Sequence, residues 1–421
     1  MNFPKMIKIR QNFTGPAISD IDAAVSEQLA RVGLAEKIKP GMKIAITAGS
    51  RGIANIHLII RATVRELKKM GAEPYIVPTM GSHGGATAAG QVEVLESLGV
   101  TEAFCEAPVR SSMDVEQIGQ TEEGMPVYVD KHALAADGII LMGRVKVHTD
   151  FKSPIGIESG LMKMAAIGLG KHKQALLIHS YGVAGIRDIM PKVARVMLAN
   201  TKILCGVAIV ENAFEQTAII EAIPTAEIEA RERELLAESA ALMPKLPVED
   251  IDILFVDEVG KNYSGTGMDT NIIGRLRIQG TPEPASPRIK YIIASDLSEA
   301  SHGNGLGIGL ADLTTQRFFD KLDKKAMNEN VITSTFLARA SIPIVLENDK
   351  AAFAAALRAN WGVDTEKARI MRIPNTLHLE YLYVSEALLP EVAALPYVEV
   401  VGELEEMAFD EQGYLPKMMS H

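Results

Sequence analysis

Residues 40–85 read PGMKIAITAGSRGIANIHLIIRATVRELKKMGAEPYIVPTMGSHGG. The apolar run KIAIT breaks at a small polar loop, Ala48-Gly49-Ser50-Arg51-Gly52. NIHLIIRATVRELKKMGA then places apolar residues near helical spacing. PYIVPTM reads as a second strand, and it too runs into a glycine loop, Gly81-Ser82-His83-Gly84-Gly85. TAAGQVEVLESLGV follows as a helix that closes on glycine. This alternation is the pattern of a parallel sheet with helices on its faces. In such sheets ligands bind beyond the carboxyl ends of the strands, so the two loops are where function is expected.

The same reading extends in both directions. MIKIR and SDIDAAVSEQLARVGL precede the stretch as a β-segment and an amphipathic helix. VYVD, GIILMG and KILCGVAIV follow as strands, and ALLI is a further apolar run, ending on His179. EIEARERELLAESAALM reads as a helix with a solvated, charged face. Met243-Pro244-Lys245-Leu246-Pro247 is the best linker. IDILFVDEVG, RIKYIIASDL, IPIVLEN and LEYLYV form a second strand series, with helices at KKAMNENVITSTFLAR and KAAFAAALRANWG. The expected architecture is α/β: two α/β domains with mostly parallel sheets and a cleft between them. The domains expected are 1–247 and 248–421, with roughly the last 20 residues packing back on the first.

Composition narrows the function. The chain has 421 residues, of which 47% are hydrophobic, enough for two packed cores. Aromatics at 5%, a net charge of −10 and no dense basic stripe argue against nucleic acid. Cys105 and Cys205 form no CxxC and no disulfide framework. With no signal-peptide core and no apolar run near the roughly 20 residues of a membrane span, a cytoplasmic protein is expected.

The chemistry-bearing residues sit after the apolar runs. Arg51 offers a guanidinium fork suited to a carboxylate, although an arginine in a loop is ordinarily a surface residue. The small residues around His83 expose backbone N–H groups that can nest an anion, and otherwise make a plain glycine turn. Gly143 to His179 is the densest segment, holding Arg144, Lys146, His148, Lys152, Lys163, Lys171, His172, Lys173 and His179. Lys163 follows the small and apolar run PIGIESGLM. There it is either a desolvated nucleophilic amine or a lysine that snorkels to solvent. His83, His148 and His179 can alternatively form a three-histidine zinc site, although no HExxH is present. In the second half, Asp269, Asn271 and Arg275 lie in or beside a glycine loop, and Arg275 faces with Asn271 if a helix begins there. SHGNGLGIGLAD resembles a dinucleotide loop only loosely.

Taken in order, the GSRG loop, the GSHGG loop, the histidine of VKVHTDF, the run ending in GLMK and the histidine of ALLIH resemble the lactate racemase family. These are the nickel-pincer-nucleotide-dependent 2-hydroxy acid racemases and epimerases. The resemblance implies an isomerase whose cofactor is a nickel-bearing pyridinium-3,5-bisthiocarboxylic acid mononucleotide, supplied by cofactor-synthesis machinery. It implies Lys163 as the tether and His179 as the protein ligand to the metal, with Ser82, Gly84, Gly85, Ser159 and Gly160 around the cofactor. It implies His83 and His148 as the acid/base pair. Arg51, Asp269, Asn271 and Arg275 are implied to contact a small 2-hydroxy acid substrate.

Two departures bear on that substrate. Lactate-specific members have an aspartate where this chain has Ala48, and a glutamine and lysine where the nearest match is Arg275. The departures point to a longer or more anionic 2-hydroxy acid. A nicotinamide-dependent dehydrogenase and a non-enzymatic anion-binding or regulatory protein are the alternatives. The chemistry independently asks for a cofactor. The Cα–H of a hydroxy acid is barely acidic, and no protein side chain accepts hydride.

Overall fold

A computed structural model describes residues 2–50 and 52–418. The strands, in chain order, are β1 (Met6–Gln11), β2 (Lys43–Ala48), β3 (Glu73–Pro78), β4 (Val115–Gln120), β5 (Pro126–Asp130), β6 (Gly138–Arg144), β7 (Ile203–Glu211) and β8 (Thr217–Pro224), then β9 (Asp250–Val256), β10 (Arg288–Ala294), β11 (Leu313–Thr315), β12 (Ile344–Leu346), β13 (Ile370–Ile373), β14 (Tyr381–Ser385) and β15 (Val398–Val400). The chain divides into two compact units, one of Gly15–Met243 and one of Met1–Thr14 with Pro244–His421.

The Gly15–Met243 unit is built on a five-stranded sheet ordered β3-β2-β6-β7-β8. All its pairings are parallel except β7 with β8. Its central strands are apolar on both faces, as a sheet covered by helices on each side requires. Ala45, Val77 and Leu141 pack into one core, and Ile44, Ile46, Ile76 and Ile140 into the other. The helix Ile56–Lys69 buries Ile56, Ile59, Ile60, Thr63, Val64 and Leu67, a stripe at three- and four-residue steps. β4 and β5 form a separate hairpin.

The second unit carries an eight-stranded sheet ordered β12-β11-β10-β9-β13-β14-β1-β15. It is parallel from β12 through β13 and antiparallel from β14 outward. The expected domain bounds are corrected at the N-terminus. The linker falls at Met243–Pro244, as MPKLP suggests, but the N-terminal strand does not belong with the residues that follow it. β1 buries Ile7 and Ile9 among Ile251, Leu254 and Leu382 and pairs Met6 with Ser385. The described part of the tail packs within its own unit. Leu415 is buried beside Phe353, and Phe409 lies against Phe3, all within the second unit. Among the described residues no helix is long and apolar enough to cross a membrane.

Candidate active site

In the five-stranded sheet the chain runs outward from β2 to β3 and then returns past β2 to β6. That reversal makes a switch point at the carboxyl ends of β2 and β6, the place where open α/β sheets bind ligands. The loops after β2, β3 and β6 all arrive there. Ser50 hydrogen-bonds through Oγ to Nδ1 of His83, joining the first two loops. Arg51 itself lies outside the described residues. Beyond it, the Gly52 carbonyl accepts from Arg144 Nη1 at 3.1 Å. Arg144 also pairs with Glu211, which accepts the Ala54 N–H at 2.7 Å.

The His83 loop depends on glycine. Gly81, Gly84 and Gly85 have φ of 59°, 65° and 62°, a region L-residues with side chains avoid. A Cβ on Gly84 would lie 2.5 Å from the carbonyl carbon of Gly90, so this glycine serves the chain's own packing. Gly85 faces open space, and the Ser82 carbonyl accepts from Ala86 N at 3.1 Å.

After β6, Lys146 and Ser159 exchange backbone hydrogen bonds of 2.9 and 3.3 Å and close the base of a loop. Buried Glu158 holds it from within, accepting His148 N at 2.6 Å and Ser153 N at 3.0 Å. His148 accepts the Asp150 N–H on Nδ1 at 3.1 Å and lies against the Phe151 ring, 4.6 Å between centroids. Its Nε2 is 2.8 Å from Lys163 Nζ. Which of these two nitrogens donates is set by the tautomer of the ring.

Lys163 ends the short helix Leu161–Lys163, which continues into a π-turn over Met164–Gly168, an irregularity frequent at functional sites. The helix start is held by a residue the sequence did not single out. Glu232, in the helix Ile228–Leu242, is fully buried and accepts the Met162 N–H at 2.9 Å. Among the described residues its Oε1 has no hydrogen-bond partner, and burial pushes its pKa up to about 7. Gly160 lies against it, since a Cβ there would sit 2.4 Å from the carboxyl carbon. This helix is therefore not solvated all along its charged run.

ALLI is not a strand. His179 closes the helix Lys171–His179, which buries Lys171, Gln174, Ala175 and Ile178. His179 is exposed at the helix end, yet desolvation, with Lys163 next, holds its pKa below the usual histidine value.

The second unit uses its expected site residues differently. Asp269 caps the turn Thr270–Ile273, its Oδ1 accepting both the backbone and side-chain N–H of Asn271 at 2.9 Å. Gly274 ends that turn, so Arg275 does not continue it beside Asn271. Its guanidinium donates to Asp312 at 2.7 Å and to the carbonyls of Leu310 and Ile289 at 3.0 and 3.1 Å. It clamps β10 to the segment before β11. In the 301–312 loop, Gly307 and Gly309 make room for the backbone carbonyls of Thr266 and Ala338 rather than for a phosphate. Among the described residues no three His, Cys, Asp or Glu side chains group to hold a metal ion by themselves, so the three-histidine zinc site is not assembled.

Residues 8–184 match the model of the lactate racemase N-terminal domain. The match contains His83, His148, Lys163 and His179. No curated protein matches this chain. The fold is similar to that of the lactate racemase apoprotein from Thermoanaerobacterium thermosaccharolyticum, with a TM-score of 0.53 and 12% identity over 88% of this chain and 98% of that one. A protein from Thermotoga maritima matches at a TM-score of 0.45 and 15% identity, over 67% of this chain and 71% of that one.

Proposed function

We propose that this protein is an isomerase that inverts C2 of a 2-hydroxy acid with a nickel-pincer nucleotide tethered to Lys163. The observation that carries the reading is the 2.8 Å contact of Lys163 Nζ with His148 Nε2, within the region matched by the family model. If Nε2 bears the ring proton, the lysine nitrogen receives it with a lone pair, the form in which an amine attacks a carbonyl. His179, kept neutral by its surroundings, suits nickel, which takes imidazole readily. The donor set therefore fits the group: one amine to tether it and one imidazole for its metal.

When bound, that group supplies the hydride acceptor that side chains lack. The chain's own residues do the rest. His148 and His83 hold and return the proton of the substrate hydroxyl, one for each hand of the substrate. The Ser50 contact steadies His83, and Glu158 and Asp150 steady His148. Arg51 grips the substrate carboxylate. Since Arg275 is engaged by Asp312, its guanidinium does not argue for a longer, anionic tail, and the proposal extends to 2-hydroxy acids as a class.

The test uses protein from a host that makes the cofactor and a panel of α-deuterated 2-hydroxy acids. Deuterium retained in the inverted product is expected. Wash-out to solvent, or equal racemisation by metal-free protein, contradicts the proposal.

A further inference from the structure

Lys171 has no exposed surface, and an ammonium that deep needs partners for its three N–H groups. Its backbone is left-handed, φ 55°, a conformation a lysine rarely adopts. Nζ donates to the Pro78 carbonyl at 2.7 Å and to Gln91 Oε1 at 2.6 Å. Asp130, equally buried, stands 3.6 Å away as counter-charge, its other oxygen accepting the N–H groups of His132 and Ala133. Gln91 is fully buried too. Its Nε2 donates to the carbonyls of Gly81 at 3.0 Å and His83 at 3.2 Å. One cation thereby grips the end of β3 at Pro78 directly, and the loop after it at Gly81 and His83 through an amide. The cation also fixes which way that amide faces. With Oε1 committed to Lys171, only the NH2 can meet the two carbonyls. The loop needs such a hold, because its glycines leave it backbone freedom.

We propose that Lys171, acting through Gln91, is a positioning residue that sets the place of the His83 imidazole. The proposal rests on the reading of His83 as an acid/base group. None of the reacting atoms touches Lys171; its effect is relayed through the amide and two backbone carbonyls.

Gln91→Glu tests it. The variant keeps the size and the acceptor for Lys171, but turns an oxygen toward the two carbonyl oxygens. Lys171→Met combined with Asp130→Asn removes both buried charges together and gives the same reading should Gln91→Glu not fold. The readouts are the 15N imidazole signals of His83 in metal-free protein, assigned with His83→Gln, and kcat and KM of the cofactor-loaded enzyme. Gln91→Glu is expected to move the His83 signals and leave those of His148 in place. It should lower kcat about 10- to 100-fold with KM changed by less than about threefold, the signature of a displaced group. His83 signals unmoved in the folded variants overturn the proposal. Signals that move in a protein whose wild type racemises nothing uphold the positioning role and defeat the acid/base reading instead.

Discussion

After β6 the chain sets an imidazole against an amine; after β9 it sets a carboxylate against a guanidinium. Asp257, the first residue beyond β9, takes two bonds from Arg372, at 2.6 and 2.8 Å, and the Met418 N–H at 2.7 Å. Asp296, beyond β10, receives Lys321 at 2.9 Å and Lys417 at 2.7 Å. These are opposite charges that neutralise one another, and the chain's own tail supplies part of the pairing. His148 and Lys163 are both bases. Asp150 Oδ2 lies 3.7 Å from His148 Nδ1, but the contact between the two bases themselves joins no opposite charges. An ion pair also holds strand ends in the first unit, where Arg144 pairs with Glu211, so what sets that end apart is the contact of two bases beside it. Ion pairs lock a sheet end, whereas neighbouring bases keep a proton exchangeable, as acid/base work requires.

That contrast breaks first at His148. His148→Ala should lower racemisation in both directions by about 10²- to 10⁴-fold, the usual worth of a placed acid/base group, while the protein stays folded. Activity in one direction only would show that the two histidines do not share the cycle. On the other side of the comparison, Asp257→Ala leaves Arg372 buried without its partner. It should cost about 3–5 kcal/mol in urea unfolding of the whole chain. A loss below about 1 kcal/mol would place this pair with ordinary surface ion pairs.

Glu232 sharpens the comparison, because it is a buried acid that forms no ion pair among the described residues. Its folded pKa, about 7, lies above the ordinary carboxyl value, so the folded state holds a proton that the unfolded chain releases. Stability is then greatest below the unfolded pKa and falls as pH rises through 7. The fall should be about 2–4 kcal/mol between pH 4.5 and 7.5, and Glu232→Gln should flatten it. A wild type and variant with parallel pH profiles would mean that Glu232 stays charged.

The four parallel strands of the five-stranded sheet were legible because each is a short apolar run, closed in β2, β3 and β6 by a nearby glycine or basic residue, whereas β8, which pairs antiparallel, was not read from the sequence. The loops that carry His83 and His148 were legible for the same reason. ALLIH left its element open because four apolar letters look alike in a strand and a helix. The burial of Lys171, Gln174, Ala175 and Ile178, at steps of three, one and three, shows the helical spacing that starts upstream of the run. β1 gives no sign of its partner, since Met6 pairs with Ser385 across nearly the whole chain. Glu232 was hidden among the charges of EIEARERELLAE, where only the close approach of Gly160 selects one glutamate for the interior. Lys171 was one cation in a dense segment until Gln91 and Asp130, distant in sequence, closed around it.

The most direct measurement of the central claim is peptide mass spectrometry of protein made in a host that synthesises the cofactor. The account predicts a mass increment on the peptide containing Lys163, absent from Lys163→Ala, together with nickel that His179→Ala no longer retains. Full racemase activity in Lys163→Ala, or an unmodified Lys163 peptide from active enzyme, would contradict it.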